Sequence, residues 1–119
     1  MLFRSTSFDD PTAMGLLSQA YAGMGKNDSA LKAAERAVTI MPRAKDAFLG
    51  PVYEENLAFI EAMFGENRRA ISTLTQLLQT PYIGLYQMPI TPALLRLDPF
   101  WDPLRADPAF QKLCEEKQP

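Results

Sequence analysis

One stretch of this chain repeats another at a constant offset of forty residues, and no other feature constrains its fold as strongly. Among the residues that recur with unchanged spacing are Gly25 as Gly65, Asn27 as Asn67 and Ala30 as Ala70. In both stretches the glycine separates two runs of apolar residues spaced three and four apart, which is typical of two helices joined by a tight turn. The sequence therefore predicts an internal helix–turn–helix repeat, and such a repeat favours binding over catalysis.

The first unit carries helix start and end signals. Asp10 and Pro11 predict an N-cap followed by the first helical residue, and Gly25 predicts the left-handed residue that ends this helix. Asn27 is predicted to cap the second helix and Pro42 to end it. Because residues 1–10 otherwise lack structural signals, we expect them to form a flexible lead-in.

The second unit repeats these signals less regularly. Its first helix is predicted to begin either with a turn at Asp46 or at Gly50–Pro51, and both starts fit the residues. Gly65 is predicted to end this helix, Asn67 to cap the next and Pro81 to end it.

After a tyrosine-rich loop, the end of the chain predicts a short helical closing segment. Thr91–Pro92 opens one helix, and Asp–Pro pairs at 98–99, 102–103 and 107–108 are further start signals. These pairs are too close for three full helices, so we expect two tight helical turns and a last helix from Pro108 to about Glu116. The larger apolar residues of the closing segment are predicted to cover the fourth helix: Phe100, Trp101, Leu104, Phe110 and Leu113. No segment alternates with period two, so the prediction is an all-α fold.

Composition argues against several functional classes. The chain has 119 residues, a net charge of −2 and no histidine. Its length fits one domain, and its charge does not favour a nucleic-acid partner. The single cysteine, Cys114, is predicted to be a buried or half-buried thiol in a reducing, cytoplasmic environment. No apolar run is long enough to predict a membrane-spanning helix.

No group of residues predicts catalysis. The sequence lacks histidine, a cysteine pair, a glycine-rich phosphate loop and a nucleophile with an evident base. Three aspartates lie close together in the sequence, as in some metal sites: Asp98, Asp102 and Asp107. Each is followed by proline, and Asp–Pro is a helix-capping pair, so capping explains them better than metal binding. We therefore predict no enzymatic activity, no cofactor and no metal.

The first unit, residues 11–44, resembles the tetratricopeptide repeat (TPR), a 34-residue helical hairpin. It keeps six residues of the family pattern: Leu17, Tyr21, Gly25, Ala30, Ala37 and Pro42. The second unit, residues 51–84, keeps four: Leu57, Ala58, Gly65 and Ala70. It departs from the pattern with Glu61 at the tyrosine position, Leu77 in place of alanine and Pro81 one residue early. Residues 45–50 are then an insertion.

The resemblance implies a single domain over residues 11–119. Its fold would be an α-α superhelix of two TPR-like hairpins, followed by the closing segment at 91–117. The closing segment is similar to the C-terminal end of TPR blocks in large bacterial signalling and regulatory proteins. That similarity implies that the chain is the C-terminal part of such a protein.

In the TPR family the first helix of each hairpin lines a concave groove that holds a peptide or a partner helix. The matching positions are Thr12, Gly15, Gln19, Ala22 and Gly23 in the first unit, and Val52, Glu55, Asn56, Phe59, Ala62 and Met63 in the second. The resemblance does not extend to the family's clamp for a terminal carboxylate, because only Asn56 fits it and Gly15 stands where lysine would be.

Phe59 and Met63 are the sharpest of these candidates, with two interpretations left open. Either they form an exposed apolar patch that contacts a partner, or they pack against the closing segment or the insertion. Gln19 and Glu55 are expected to be solvent-exposed.

The sequence thus predicts a non-catalytic protein–protein interaction module whose partner is a protein or peptide. The alternative is an architectural element, which caps a larger repeat protein or forms a homodimer and has no ligand of its own. A groove filled by the closing segment would favour this alternative.

Overall fold

The computed structural model describes residues 10–47, 49–79 and 90–115, without the side chain of Phe100. Within these ranges lie six α-helices and one 3₁₀ helix: α1 (Pro11–Gly23), α2 (Asn27–Ile40), α3 (Gly50–Met63), α4 (Asn67–Leu77), α5 (Pro92–Leu97), the 3₁₀ helix (Pro99–Leu104) and α6 (Pro108–Glu115). The described residues contain no strand, which confirms the all-α prediction. Among them, no helix has the length and apolar character needed to cross a membrane.

The two units form helical hairpins, α1–α2 and α3–α4, that turn in the same way. Gly25 has a φ of 74° and Gly65 a φ of 83°, the left-handed conformation that glycine adopts without steric strain. In the first turn the backbone N–H of Lys26 donates to the carbonyl of Tyr21 at 3.0 Å, and in the second Glu66 donates to Glu61 at 2.8 Å. Both bonds belong to the Schellman motif, so the sequence repeat is also a repeat of backbone geometry.

The predicted caps are only partly correct. The side chain of Asp10 accepts a hydrogen bond from the backbone of Thr12 at 2.9 Å, which confirms the first cap. The capping role predicted for Asn27 and Asn67 is wrong, because each is already the first residue of its helix. The glycine turn leaves one residue before the next helix, and that residue takes the N-cap position without a side-chain capping bond.

Small residues bring the two hairpins close together. One buried cluster joins them: Ala22, Ala30, Ala34 and Ile60, with half-buried Tyr21, Leu31, Leu57, Phe59 and Phe64 around it. Ala30 and its repeat partner Ala70 are both fully buried. Methyl-sized side chains at these positions let helix backbones approach closely while the interior stays densely packed.

The closing segment packs against α3 as well as the predicted α4. The 3₁₀ helix contacts α3 and α6 contacts α4, and together they bury the second cluster, which includes Trp101, Leu104, Phe110 and Leu113. The side chain of Thr91 caps α5 through the backbone of Leu94, as predicted.

One predicted detail of this segment is wrong. Pro103 lies inside the 3₁₀ helix, so the two expected helical turns are one continuous element. The predicted helix end at Pro81 is wrong, because α4 already ends at Leu77. The predicted lead-in before Asp10, the loop after Pro81 and Glu116 lie outside the described residues.

The connection between the hairpins is held against the start of α3. Arg43 donates to both carboxylate oxygens of Glu54, at 2.7 and 2.8 Å. The backbone passes so close to Gly50 that a Cβ there would lie 2.7 Å from the nitrogen of Arg43. Asp46 accepts from the backbone of Leu49 at 2.9 Å, and α3 itself begins at Gly50.

We expect Gly50→Ala to destabilise the protein by about 1–3 kcal/mol, because its methyl group would overlap backbone atoms that cannot rotate away. Gly23→Ala is the matched control, since a Cβ there meets nothing within 4 Å. Replacing a helical glycine without a clash should stabilise by at most about 1 kcal/mol. Urea unfolding of both variants measures the difference, and equal stabilities would contradict the close contact at Gly50.

Candidate functional site

A pocket of about 330 Å³ opens between α1 and α3, the first helices of the two hairpins. It is lined by Thr12, Gly15, Leu16, Gln19, Val52, Tyr53 and Asn56. The structure therefore brings together four of the predicted site residues, Thr12, Gln19, Val52 and Asn56, and also Gly15. Sequence reasoning missed Leu16 and Tyr53, although the helical spacing of Leu16 from Thr12 and Gln19 already placed it on their face.

A chain of hydrogen bonds forms one wall of the pocket. The hydroxyl of Ser18 donates to the carbonyl of Gly15 at 2.6 Å, and the Asn56 side-chain amide donates to Ser18 Oγ at 3.0 Å. Gln19 Nε2 donates to Asn56 Oδ1 at 2.9 Å. Asn56 is only 2% exposed, and buried amides are stable in a folded protein when they are bonded in this way. The network therefore fixes α1 relative to α3.

A second polar contact spans the two helices beside this network. The hydroxyls of Thr12 and Tyr53 lie 3.1 Å apart. None of the lining residues carries a formal charge, and Leu16 and Val52 add apolar surface. The pocket therefore offers amide and hydroxyl groups beside aliphatic side chains. Such a lining suits uncharged groups and does not favour an anion or a cation.

Phe59 and Met63 lie away from this pocket. The ring of Phe59 is half-buried and meets Trp101 edge to face, with centroids 6.2 Å apart and an interplanar angle of 88°. The interpretation that Phe59 packs against the closing segment is therefore correct, and its exposed alternative is wrong. Met63 remains 40% exposed at the end of α3.

The predicted solvent exposure is correct for one of the two polar candidates and wrong for the other. Gln19 is exposed, as predicted, although its amide is bonded to Asn56. Glu55 is only 6% exposed, so its predicted exposure is wrong. The physical reason is that α3 has neighbours on both sides, the first hairpin and the 3₁₀ helix, and few of its side chains reach solvent.

Glu61 is a buried carboxyl group whose surroundings change its pKa. It is 2% exposed, and its Oε1 has no hydrogen-bond partner within the described structure. Its other oxygen lies 3.1 Å from Arg69 Nε, and Arg69 also binds Glu35 at 2.9 Å. Burial raises the pKa of Glu61 from 4.5 to about 7, although the positive charge of Arg69 opposes this. The sequence singled out Glu61 only as a departure from the repeat pattern.

Another pocket lies in the closing segment, and the two arginines that line it donate hydrogen bonds to backbone carbonyls. Arg105 donates to the carbonyls of Leu95 and Asp98, and Arg96 donates to the carbonyl of Cys114. These bonds satisfy helix-end carbonyls, so the arginines hold the segment together. Cys114 is buried, as predicted, and burial raises the pKa of its thiol, which favours the unreactive protonated form.

No known protein family, curated protein or solved structure matches this chain.

Glu61 makes stability depend on pH in a defined direction. Because its folded-state pKa of about 7 exceeds the usual 4.5, the folded protein binds more protons than the unfolded chain between these values. The free energy of unfolding should therefore fall as pH rises through this window, by up to about 3 kcal/mol from this group. Glu61→Gln should remove that dependence, and should be more stable than the wild type at pH 8.

Urea unfolding at several pH values between 4 and 8 measures this effect as the difference between wild type and Glu61→Gln. The matched control is Glu115→Gln, since Glu115 is exposed at the end of α6. This variant removes a carboxyl group far from α3, so a change of slope that it shares with Glu61→Gln would not be specific to Glu61. Parallel profiles for wild type and Glu61→Gln would mean that the Glu61 carboxyl titrates normally in the folded protein.

Proposed function

We propose that this chain is a non-catalytic protein–protein interaction module that binds a peptide segment in the groove between α1 and α3. The observation that carries the proposal is the pocket itself, which lies between equivalent helices of two repeated hairpins. A groove made by repetition is a surface for binding an extended ligand. Its volume of about 330 Å³ fits a short stretch of peptide.

We also propose that the two hairpins belong to the TPR family. The proposal is supported by the paired left-handed glycines, Gly25 and Gly65, and by the full burial of Ala30 and Ala70. It is further supported by the packing of α3 on the first hairpin through small residues. Glu61 in place of tyrosine is the main departure in the second unit.

The chemistry of the pocket suggests which peptides fit it. Its apolar wall at Leu16 and Val52 suits an aliphatic side chain, and the exposed amide of Gln19 can exchange hydrogen bonds with a peptide backbone. A charged side chain would lose hydration there without meeting an opposite charge. The proposed ligand is therefore an uncharged, partly apolar peptide segment within a larger protein.

A selection from a random peptide library, followed by fluorescence-polarisation titration of the recovered peptides, tests this function. Gly15→Leu should weaken binding at least about tenfold, because its side chain grows into the pocket. Gly15→Ala is the matched control, since its Cβ meets only the side-chain amide of Asn56, at 3.9 Å. It should bind almost as the wild type does.

Tyr53→Ala provides an independent variant if Gly15→Leu fails to fold, because it removes a different wall of the pocket. Melting temperatures of all variants show whether the fold is retained. Recovered peptides that bind folded Gly15→Leu and Tyr53→Ala as tightly as wild type would contradict the proposed groove.

We propose a second, architectural role for the closing segment, which is to cover the outer apolar face of the second hairpin. The supporting observation is Trp101, which is 2% exposed and covers the Phe59 ring on α3. Phe110 and Leu113 are buried in the same cluster as Leu74 of α4. A terminal hairpin needs such a cover, because its outer apolar face has no following repeat.

Trp101→Ala should destabilise the protein by about 3–5 kcal/mol, the usual cost of removing a large buried aromatic side chain. The loss should loosen α4 more than α2, because α2 packs between α1 and α3. Hydrogen exchange resolved by residue measures this difference. Leu97→Ala, at a 77% exposed position of the same segment, is the control and should change stability by less than about 0.5 kcal/mol.

A further inference from the structure

The outer side of α1 has the character of a buried helix face although it is uncovered. The helix contains no charged residue from Pro11 to Gly23. Four of its apolar residues and its C-cap fall within an arc of about 100° at 100° per residue, whereas Met14, Tyr21 and Ala22 lie outside it. This outer arc consists of Ala13, Leu17, Ala20 and Met24, with Leu16 at its edge, where Leu16 also borders the pocket between α1 and α3. Leu16 is 64%, Leu17 38% and Met24 62% exposed.

The repeat shows what such an arc does elsewhere in this chain. Forty residues later the equivalent positions on α3 and its C-cap are Tyr53, Asn56, Leu57, Ile60 and Phe64. These residues face the first hairpin: Ile60 is fully buried against Ala22 and Ala30, and Asn56 bonds to Ser18. The second unit therefore uses this arc to pack on a neighbouring hairpin. No such neighbour covers the outer arc of α1 among the described residues.

We propose that the outer arc of α1 packs against the same arc of a second copy of this chain, in a two-fold symmetric dimer. Like charges meet across a two-fold axis, and an arc without charges avoids that repulsion. The charges that flank α1 in the sequence favour an antiparallel pairing: Asp10 precedes α1 and Lys26 follows it, so Asp10 of one copy would approach Lys26 of the other. Asp28, the second residue of α2, lies two residues farther along the chain than Lys26.

The far side of the second hairpin favours a closed two-fold dimer over head-to-tail association of copies. Head-to-tail stacking would require α4 to receive the α1 of the next copy. That side is occupied by the closing segment, which contacts both α3 and α4. The outer arc of α1 therefore packs on the same arc of a second copy. Ala13 and Ala20 lie in the middle of the arc and permit close approach, with Leu16 on one flank and Leu17 and Met24 on the other.

Sedimentation equilibrium of the full chain tests the proposal over concentrations from about 1 µM to about 1 mM, the range suited to an interface of about one helix face. The expected result is a reversible monomer–dimer equilibrium in which the 13.3 kDa chain doubles its mass. A single species of 13.3 kDa at every concentration would overturn the proposal. The arc would then belong to a preceding hairpin of a longer polypeptide or to residues 1–9.

Variants locate the interface. Leu17→Glu/Met24→Glu places like charges on both sides of the axis and should raise the dimer dissociation constant at least about 100-fold. Both positions are exposed, so the fold should survive, and circular dichroism checks this. Leu97→Glu is the matched control, because it adds charge at an exposed leucine of the closing segment and should leave association unchanged. A folded double variant that dimerises like the wild type would overturn the proposed surface.

Charge complementation gives a further test that does not depend on loss of association. Leu17→Glu and Leu17→Lys should each be monomeric alone, while an equimolar mixture should form a heterodimer. Such rescue is expected only if residue 17 of one copy lies near residue 17 of the other. A mixture that stays monomeric, when both single variants are folded and the wild type dimerises, would overturn the antiparallel α1 pairing.

Discussion

The close approach of α1 and α3 is the constraint on which the rest of this structure depends. Gly15, Ser18 and Ala22 are the buried residues of α1, and none has a side chain larger than a hydroxymethyl group. This leaves room for the Asn56 amide to reach Ser18 across the interface. If larger residues separated these helices, the polar network would be broken, and the groove would lose the spacing that makes it a pocket. A buried, fully bonded amide also specifies one register between two otherwise apolar surfaces.

The fold is organised around α3, which has the first hairpin on one side and the closing segment on the other. This position explains why three polar side chains of α3 are buried: Glu55, Asn56 and Glu61. Asn56 is bonded within the groove, whereas Glu61 keeps an oxygen without a partner in the described structure and shifts its pKa toward neutrality. The groove and the buried Glu61 carboxyl group therefore lie on one helix but remain distinct, since Glu61 does not line the pocket.

Much of the fold could be predicted from the sequence, because glycine turns, Asp–Pro pairs and apolar spacing act locally. The turns at Gly25 and Gly65 and the cap at Asp10 are examples. The site was less predictable because it depends on which faces meet. Whether Phe59 is exposed depends on the closing segment more than forty residues later, and no local pattern encodes that contact. The burial of Glu55 and the backbone approach at Gly50 likewise arise from tertiary packing.

Hydrogen exchange at the side-chain amide of Asn56, followed by NMR, tests the packing of α1 against α3 most directly. The two hydrogen bonds of this amide and its 2% exposure join α1 to α3. If α1 and α3 pack in this way, the Asn56 amide protons exchange far more slowly than the side-chain amide protons of Gln79, which is exposed just after α4. They should also show nuclear Overhauser contacts to Ser18. Asn56 protons that exchange at the rate of a free amide and lack that contact would contradict the packing of the two hairpins and the groove between them.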